Sequence, residues 1–516
     1  MSDGGKQNPF DNSRLLDVHR WSQHPNVVKA IEALAVEFGF KDKRFVKCLR
    51  MVVMDLYQAW RVDRTQYLTY SRGENEYRGG TRYNKLRIKY DALTKTVDAL
   101  KAEGYIEHHI GGYFFNEHTG TYYGFTSRMR AARKLIRLIV SHKVKAKMIS
   151  RWEDQELIVK RSVPVEVKQG KKTIWVKEDL EYEDEPATIT RMRKRLMAYN
   201  DLLNKTYIDV DDDHLTAEEQ HELRQYRLDL SRKKVHRVFN NNSWTQGGRF
   251  YGAWWMECPK ILRKYIIIDG DPTVELDYSG MHIHLLYAIE KINYAAEGED
   301  PYVIEGFPNR GLNKYVFLIA VNAEDDEDCI RGVWKRLVDK RKLKEYGITS
   351  QDQIRDVLLA IKAKHQPIKK YIASGYGVKL QYIDSCIADK VTTYFTERNI
   401  SILTVHDSFI CTQLTEMVLL DVMKTAFVFE IKKLVDVAYV SDADEIWYNT
   451  GLVEKEQAND PIIDVDRKAL SYEQYIAIKN SVKLYDQRRR ELRWKLTGDT
   501  NLLCKLTNRE HSTQVG

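Results

Sequence analysis

Two aspartates stand in settings that are typical of metal-dependent phosphate chemistry. Asp277 ends the alternating segment "TVELD", in which Val274 and Leu276 face one side of a predicted strand and Glu275 and Asp277 face the other. Asp407 lies in "TVHDSF", a polar break between two apolar runs that predicts a hairpin. Two carboxylates from different strands are the least that a protein must supply to a pair of Mg²⁺ ions, which prefer oxygen ligands. We therefore expect a two-ion magnesium site here; the simpler alternative is a turn residue and an unrelated strand-end carboxylate.

Four segments around these aspartates resemble those of a known superfamily. "DYSGMHIHLL" is similar to motif A of family A DNA polymerases and "VHDSF" to motif C, and the HDSF form is closest to phage-type and mitochondrial single-subunit RNA polymerases. "TQGGRFYGAWWMECPKILRKYIIIDG" resembles the segment that precedes motif A in the DNA enzymes, and "LQYIDSCIADKV" resembles the helix that leads into motif C. Each segment alone is weakly specific, so the resemblance depends on their occurring in the family's order.

The resemblance implies roles for single residues in these segments. It makes the two aspartates the ligands of two Mg²⁺ ions, with the backbone carbonyl of Tyr278 as an additional ligand. His406 would lie near the primer terminus. Arg249 would contact the template or primer backbone, and Gln381 would reach the minor groove of the duplex.

The family's nucleotide-binding helix carries an Arg, then a Lys four residues later, then a Tyr. "RGLNKYVFLIAVNA" supplies Arg310 and Lys314 at this spacing, so both cations lie on one helix face and can grip a triphosphate. Lys314 is also suited to donate a proton to the leaving pyrophosphate. Asn322 stands where the family has Tyr, and we count it among the nucleotide-binding residues. A second register, with Arg331 and Lys335 in "RGVWK", has the same spacing but leads into a heavily charged segment, so we favour the first.

Two further positions bear on the substrate and on the metals. His282, predicted to contact the nucleotide, stands where family A DNA polymerases have a Glu that helps to exclude ribonucleotides. With Asn322, it replaces the usual sugar-selecting pair, so the choice between dNTPs and NTPs stays open. Glu275 stands where the family has an apolar residue. It faces the predicted metal side of its strand, and we expect it to form a salt bridge with Lys or Arg rather than to bind metal.

The first third of the chain predicts a winged helix-turn-helix. A helix over about 90–103 ends at Gly104 and precedes the strand "YIEHHI", a Gly-Gly turn and the returning strand "TYYGFTS". In such modules the recognition helix enters the major groove and the wing contacts the backbone. A basic run follows the wing and favours DNA binding over the alternative, a unit used only for protein contacts. The expected DNA contacts are Lys85, Arg87, Lys89, Lys95, Arg128 and Arg130.

These segments predict an α+β fold with four regions. They are a winged-helix DNA-binding domain over 27–150, a linking strand element over 151–185, a right-hand polymerase core over 186–450 and a helical basic tail over 451–516. Within the core, we expect the thumb at 186–244, the palm at 245–295 and 380–450, and the fingers at 300–379. A chain of 516 residues is long enough for two or three such domains.

Composition restricts the class of protein further. The chain is 43% hydrophobic and 30% charged, has no apolar stretch of membrane-spanning length and has no CxxC pair among its 6 cysteines. We therefore expect a protein of the reducing cytoplasm that does not associate with membranes.

The combined expectation is a template-directed polymerase of a mobile element, phage or plasmid. Its partners would be a DNA template, a primer or nascent strand, nucleoside triphosphates and two Mg²⁺ ions. DNA synthesis is favoured. One alternative is a primer-independent single-subunit RNA polymerase or primase, which the HDSF motif supports. The other is a non-catalytic DNA-binding replication initiator or regulator with a degenerate polymerase fold.

Overall fold

The computed structural model describes residues 12–77, 82–116, 121–145, 148–151, 155–169, 172–183, 185–211, 215–226, 228–292, 294, 300–434 and 453–458. Helices and strands both contribute, so the fold is of the predicted α+β class. The chain divides into two compact units, Met1–Glu156 with Leu223–Arg232, and Leu157–Glu222 with Lys233–Gly516. Residues 223–232, predicted as thumb, therefore belong to the first unit. None of the described helices is long and apolar enough to cross a lipid bilayer.

The first unit contains helices packed beside a small sheet, one short hairpin (β5–β6) and one further pair of short strands (β2–β8). Its helices are α1 (Pro25–Glu37), α2 (Lys43–Val62), α3 (Tyr90–Ala102) and α4 (Arg133–Ser141). Its strands are β1 (Ser13–Leu15), β2 (Arg20–Trp21), β3 (Tyr67–Tyr70), β4 (Ile106–His109), β5 (Gly112–Asn116), β6 (Thr121–Phe125), β7 (Ser127–Ala131) and β8 (Ser150–Arg151).

Helix α2 is central to the core of this unit. It begins after Asp42, whose carboxylate accepts a hydrogen bond from the Arg44 amide and so satisfies one of the free N–H groups of the first turn. Leu49, Val53 and Leu56 recur at helical spacing and are fully buried. Each buried side chain of this size stabilises the fold by about 1.5–3 kcal/mol. Both α1 and α3 pack against α2.

The sheet of this unit has the order β1-β3-β7-β4, with β1 parallel to β3 and the other neighbours antiparallel. Helix α3 ends before Gly104, whose φ of +69° is the left-handed conformation that glycine adopts easily. The predicted returning strand "TYYGFTS" is mostly β6, which pairs with β5. Strand β4 pairs instead with the next strand, β7. The hairpin is therefore longer than predicted, and its returning strand begins at Ser127.

The second unit contains most of the helices and a larger sheet. Its helices are α5 (Ala187–Lys205), the first part of α6 (Ala217–Tyr226, whose residues from 223 onward belong to the first unit), α7 (Trp254–Glu257), α8 (Lys260–Arg263), α9 (Met281–Ile289), α10 (Arg310–Ala320), α11 (Asp326–Asp339), α12 (Gln351–Lys364), α13 (Gly377–Thr396) and α14 (Glu416–Leu434). Its strands are β9 (Ile158–Lys160), β10 (Val165–Gln169), β11 (Lys172–Val176), β12 (Ile208–Val210), β13 (His236–Phe239), β14 (Gly247–Tyr251), β15 (Ile266–Ile268), β16 (Asp271–Tyr278), β17 (Leu403–Val405), β18 (Ser408–Thr412) and β19 (Val453–Ala458).

Strand β16 lies at the centre of the main sheet. The sheet order is β12-β15-β16-β18-β17, and β19 also pairs with β16. Helix α14 contacts β16, α9 and α13, while α13 also packs on β14. Trp254 and Trp255 of α7 are fully buried. Because β16 has paired neighbours and a helix against it, the position of its last residues is closely determined.

Three predicted regions differ from the structure. Residues 186–244 are not helical throughout, because β12 joins the main sheet and β13 pairs with β14 and β9. Within 151–185, β9 and the β10–β11 hairpin belong to the second unit instead of forming a separate connector. The tail predicted as helical contains the strand β19, which pairs with β16. The helix predicted farther along the tail lies outside the described residues.

Candidate active site

Asp407 occupies the turn of the β17–β18 hairpin, beside the strand that carries Asp277. The Cα register pairs Asp277 with Ser408 across β16 and β18, and Val405 with Ser408 across β17 and β18. His406 and Asp407 therefore form a two-residue turn. Directly opposed residues of antiparallel strands have Cα atoms about 5 Å apart. The two aspartates thus lie at the same end of the sheet, although they are far apart in the sequence.

The turn has a conformation that is uncommon for a residue other than glycine. His406 has a φ of +60°, which in two-residue hairpins is usually adopted by Gly, Asn or Asp. The flanking strands are tightly held, since Phe409 is fully buried and the Trp255 indole donates a hydrogen bond of 3.1 Å to the carbonyl of Thr404. A conformation that costs about 1 kcal/mol or more persists where the surroundings determine it. This packing therefore sets the direction in which Asp407 leaves the sheet.

The charges of both aspartates act on the phenol of Tyr302. Burial is the largest cause that raises the pKa of Tyr302; the charge of Arg310 lowers it, and those of Asp300, Asp407 and Asp277 raise it by successively smaller amounts. Asp407 also acts on Tyr278, whose pKa is raised mainly by burial, and on the Arg249 guanidinium. These effects agree with the strand register, which puts both aspartates at the same end of the sheet.

The donor set at this point suits Mg²⁺, because carboxylate oxygens are the ligands that this ion prefers. Within the described part of the chain, no three or more His, Cys, Asp and Glu side chains are grouped to hold an ion. An ion bound to Asp277 and Asp407 would therefore take its other ligands from water, substrate phosphate or a backbone carbonyl such as that of Tyr278.

Glu275 faces the same side of β16 as Asp277 but is held by Arg263. Its two carboxylate oxygens accept hydrogen bonds of 2.9 Å from Nε and Nη2 of Arg263. One of them also accepts a hydrogen bond of 2.7 Å from the Ser408 hydroxyl. The residue is only 3% exposed. The predicted salt bridge is confirmed, and the bond from Ser408 ties the hairpin of Asp407 to the strand of Asp277.

A buried carboxylate on α13, Asp384, joins two of the predicted site residues. Nε of Arg249 donates a hydrogen bond of 3.0 Å to Oδ2 of Asp384, and Nη2 contacts the same oxygen. Nε2 of His282 lies 3.1 Å from this oxygen and 3.3 Å from Nη2 of Arg249. Burial alone would raise the pKa of Asp384, but the charge of Arg249 and the hydrogen bonds hold it below the usual value. Asp384 therefore positions both side chains and partly neutralises Arg249.

Helix α10 holds two cations against the ring of Tyr302. Cζ of Arg310 lies 5.4 Å from the ring centroid, and Nζ of Lys314 lies 5.7 Å from it. Arg310 is half-exposed and also forms an ion pair of 2.5 Å with Asp300. This is the tyrosine whose pKa is raised by the charges of Asp407 and Asp277, among other causes.

The other predicted residues of this region lie farther along the chain. Arg331 and Lys335 are exposed on α11, as Arg310 and Lys314 are on α10, so the choice of the first register stays a prediction. Asn322 follows α10, and its Oδ1 accepts a hydrogen bond of 3.2 Å from Nε2 of Gln381 on α13. Two residues that were predicted separately therefore contact each other.

His406 and Tyr278 differ in how their side chains are placed. The ring of His406 meets that of Tyr251 edge to face at 5.7 Å, and burial lowers its pKa, which favours the neutral imidazole. The hydroxyl of Tyr278 donates a hydrogen bond of 2.6 Å to the carbonyl of Met423. The Tyr278 side chain thus points into the core, which leaves its backbone carbonyl as the atom suited to a metal.

The predicted DNA contacts of the first unit lie around α3 and on β7. Four of them are exposed near the start of α3: Lys85, Arg87, Lys89 and Lys95. Arg128 and Arg130 lie on β7 and are half-buried. Arg130 forms an ion pair of 2.6 Å with Glu107, and its guanidinium lies 4.9 Å from the Tyr67 ring centroid. The lysines near α3 are thus the more accessible positive charges.

Three residues on which this arrangement depends were not predicted: Tyr302, Asp384 and Arg263. Asp384 had a detectable signal, because it lies among the apolar positions of "LQYIDSC", where a buried acid needs a cationic partner. Arg263 is one of several basic residues before β15. Tyr302 lies before α10 in a segment without helical or strand periodicity, so no sequence pattern pointed to it.

Comparison with known proteins gives no relative of this chain: no protein-family model matches it, and no curated protein matches it significantly. The function is therefore inferred from the side-chain geometry and from the resemblance of the motifs.

Proposed function

We propose that this chain is a template-directed nucleic-acid polymerase that joins nucleotides by two-metal nucleotidyl transfer, with DNA synthesis favoured. One observation carries the proposal. Asp277 and Asp407 lie at one end of adjacent strands, and the Tyr302 ring that is influenced by their charges also contacts Arg310 and Lys314. Carboxylates that can hold divalent ions, beside cations that can bind a triphosphate, are the parts that phosphoryl transfer needs.

Asp277 and Asp407 would hold two Mg²⁺ ions, with the Tyr278 carbonyl as a further ligand. When bound, such ions activate a 3′-hydroxyl and offset negative charge on the triphosphate. Arg310 and Lys314 would bind the phosphates that leave as pyrophosphate, and Lys314 can donate a proton to that group. The side chains of α10 would thus bind the leaving group, and the aspartates would hold the ions at the reacting phosphate.

Arg249, His282 and His406 would contact the primer strand or the entering sugar. The charge of Asp407 acts on Arg249 and on His406, which supports a location beside the reacting atoms. Asp384 would hold Arg249 and His282 in the orientation that this contact requires. Gln381 would contact the duplex. Its side-chain amide donates a hydrogen bond to Asn322 in the structure.

The first unit supports a role in binding duplex DNA. Helix α3 is followed by an antiparallel hairpin whose returning strand pairs with an earlier strand, and this order supports the proposed winged helix. Exposed lysines at the start of α3 add the positive charge that phosphate contacts need. A site-binding unit joined to a polymerase suits the replication protein of a mobile element, phage or plasmid.

A single assay tests the proposal. The purified full chain is given primed and unprimed DNA templates with Mg²⁺ and either dNTPs or NTPs. We expect primed dNTP extension by the wild type, and loss of product by at least about 1,000-fold in Asp277→Asn and Asp407→Asn, since each removes a metal ligand. Duplex DNA binding should be unchanged in both. Asp201→Asn is the matched control, because Asp201 is 68% exposed in a surface ion pair with Lys205.

The other outcomes select the rival functions. Synthesis from NTPs on unprimed template would identify an RNA polymerase or primase. Duplex binding with no product under any condition would identify a replication initiator or regulator. Wild-type extension rates in the Asp277 or Asp407 variants would overturn the assignment of the active site.

A further inference from the structure

Tyr302 is held rigidly against α10. It is 4% exposed, and its amide donates a hydrogen bond of 2.8 Å to Asp300. Its carbonyl accepts a hydrogen bond of 2.9 Å from the Asn313 side chain, which belongs to α10. Its ring meets that of Phe317 edge to face, with centroids 6.0 Å apart. The backbone and the ring are thus both fixed to the helix that carries the two cations.

The hydroxyl of Tyr302 differs from the rest of the residue, because it forms no hydrogen bond with any described residue. The hydroxyl oxygen is not among the fully buried polar atoms that lack a partner, so it has some access to solvent and to a ligand. A tyrosine hydroxyl carries its proton at neutral pH and can therefore donate it in a hydrogen bond. A donor in this position is available for a ligand.

The surroundings indicate which part of a nucleotide this donor would meet. Arg310 and Lys314 lie over the ring, and Phe317 contacts it as well, so little of its face is open for stacking a base. Two cations beside a neutral donor favour an anionic acceptor. The carboxylates would repel such an anion unless the divalent ions lay between them. A phosphate oxygen of a metal-bound triphosphate meets both conditions.

We propose that Tyr302 forms part of the triphosphate subsite: its hydroxyl donates a hydrogen bond to an oxygen of the departing β- or γ-phosphate of the entering nucleotide, and its ring holds Arg310 and Lys314 against the same group. This inference rests on the proposed polymerase function. The resemblance leads one to expect a Tyr after α10, but Asn322 occupies that position. In this proposal the tyrosine of the nucleotide site is Tyr302, which precedes α10.

Two substitutions separate the hydroxyl from the ring. Tyr302→Phe removes only the hydroxyl, and Tyr302→Leu removes the ring on which both cations lie. With the full chain, kcat and KM for the nucleotide are measured on a primed template. Binding of a non-hydrolysable nucleoside triphosphate and of the matching monophosphate is measured by calorimetry with Mg²⁺, so that one readout does not require synthesis. Tyr394→Phe is the matched control, because Arg398 lies 3.7 Å from that ring centroid.

For Tyr302→Phe we expect KM and the triphosphate Kd to rise together by roughly 10-fold, as for a lost hydrogen bond to a charged group. We expect kcat to change less than about twofold and monophosphate binding to be unchanged, because the bond is made to the departing phosphates. Tyr302→Leu should weaken triphosphate binding further, since the cations lose their support. Thermal melting checks that each variant is folded.

The results distinguish this inference from the proposed function. Wild-type KM and wild-type triphosphate binding in folded Tyr302→Phe would overturn the role of Tyr302 while leaving the polymerase assignment intact. Equal weakening of triphosphate and monophosphate would also overturn it, since the contact would then lie on the base or sugar. A wild-type chain that neither binds triphosphate nor extends a primer would overturn the proposed function, and this inference with it.

Discussion

Ser408 lies directly opposite Asp277 in the β16–β18 ladder, and its hydroxyl donates a hydrogen bond to Glu275. Glu275 is in turn held by Arg263, so the chain from Arg263 to Ser408 braces the hairpin turn against the central strand. The side chain that follows Asp407 thus has a structural role, because it lets the turn dock on a carboxylate of the neighbouring strand.

Breaking this brace should destabilise the second unit. Glu275→Gln leaves the half-buried Arg263 guanidinium facing a neutral amide, and removal of one partner of a buried ion pair costs about 3–5 kcal/mol. Urea denaturation of the full chain measures the loss. Glu345→Gln is the matched control, since its ion pair with Lys342 is exposed and worth at most about 1 kcal/mol. Equal stabilities of the two variants would show that the brace contributes little.

The position of Arg249 should depend on Asp384. Asp384→Asn removes the charge that holds Arg249 and His282, so we expect weaker binding of primed template, by roughly 10-fold, and a loss of about 3 kcal/mol in stability. Affinity for primer–template is measured by anisotropy at fixed salt, and stability by urea denaturation. Duplex binding through the first unit should not change. A variant with wild-type affinity for primed template would mean that Arg249 is not oriented by this carboxylate for nucleic acid.

Gly248 on β14 should tolerate no side chain. It has a φ of +82°, and an added Cβ would lie 2.8 Å from the Ser385 hydroxyl and 3.0 Å from the ring of Phe239. We expect Gly248→Ala to cost about 2–4 kcal/mol, from left-handed strain and overpacking together. Gly306→Ala tests strain alone, because Gly306 also has a positive φ, of +76°, but no atom within 4 Å of its Cβ position. Its loss should stay near 1 kcal/mol in the same denaturation experiment. A Gly248→Ala variant no less stable than Gly306→Ala would contradict the close packing of β14 on α13.

His284 on α9 should make the second unit sensitive to mild acid. Burial lowers the pKa of His284 to about 4, whereas in the unfolded chain it titrates near about 6.5. The unfolded state therefore takes up the proton first, so stability is fully present above about pH 6.5 and falls as the pH drops toward 4, by up to about 3 kcal/mol.

The contribution of His284 is read from unfolding free energies at several pH values in wild type and in His284→Gln. The substitution should flatten the profile in this window, whereas His221→Gln, at an exposed position, should leave it unchanged. Other buried histidines also titrate, so the difference between the profiles is the quantity measured. Parallel profiles for wild type and His284→Gln would contradict the burial argument.

The sequence by itself was enough to predict several features of the fold and of the candidate site. Alternation over "TVELD" placed Glu275 and Asp277 on one face of a strand, and the polar break at Asp407 predicted a hairpin. The spacing of Arg310 and Lys314 predicted that they share a helix face. These features are local, because the two-residue period of a strand and the 3.6-residue period of a helix act between near neighbours.

Other features were decided only when distant segments met. Arg249 and Asp384 are 135 positions apart, and Glu275 and Ser408 are 133 apart, so no periodic pattern relates either pair. The same holds for β19, which pairs with β16 from a tail that reads as helical. Tyr302 has no local signal, and its role depends on the path that brings α10 beside the aspartates. Contacts of this kind follow from the packing of whole elements, which sequence periodicity does not encode, and they determine which side chains surround the aspartate pair.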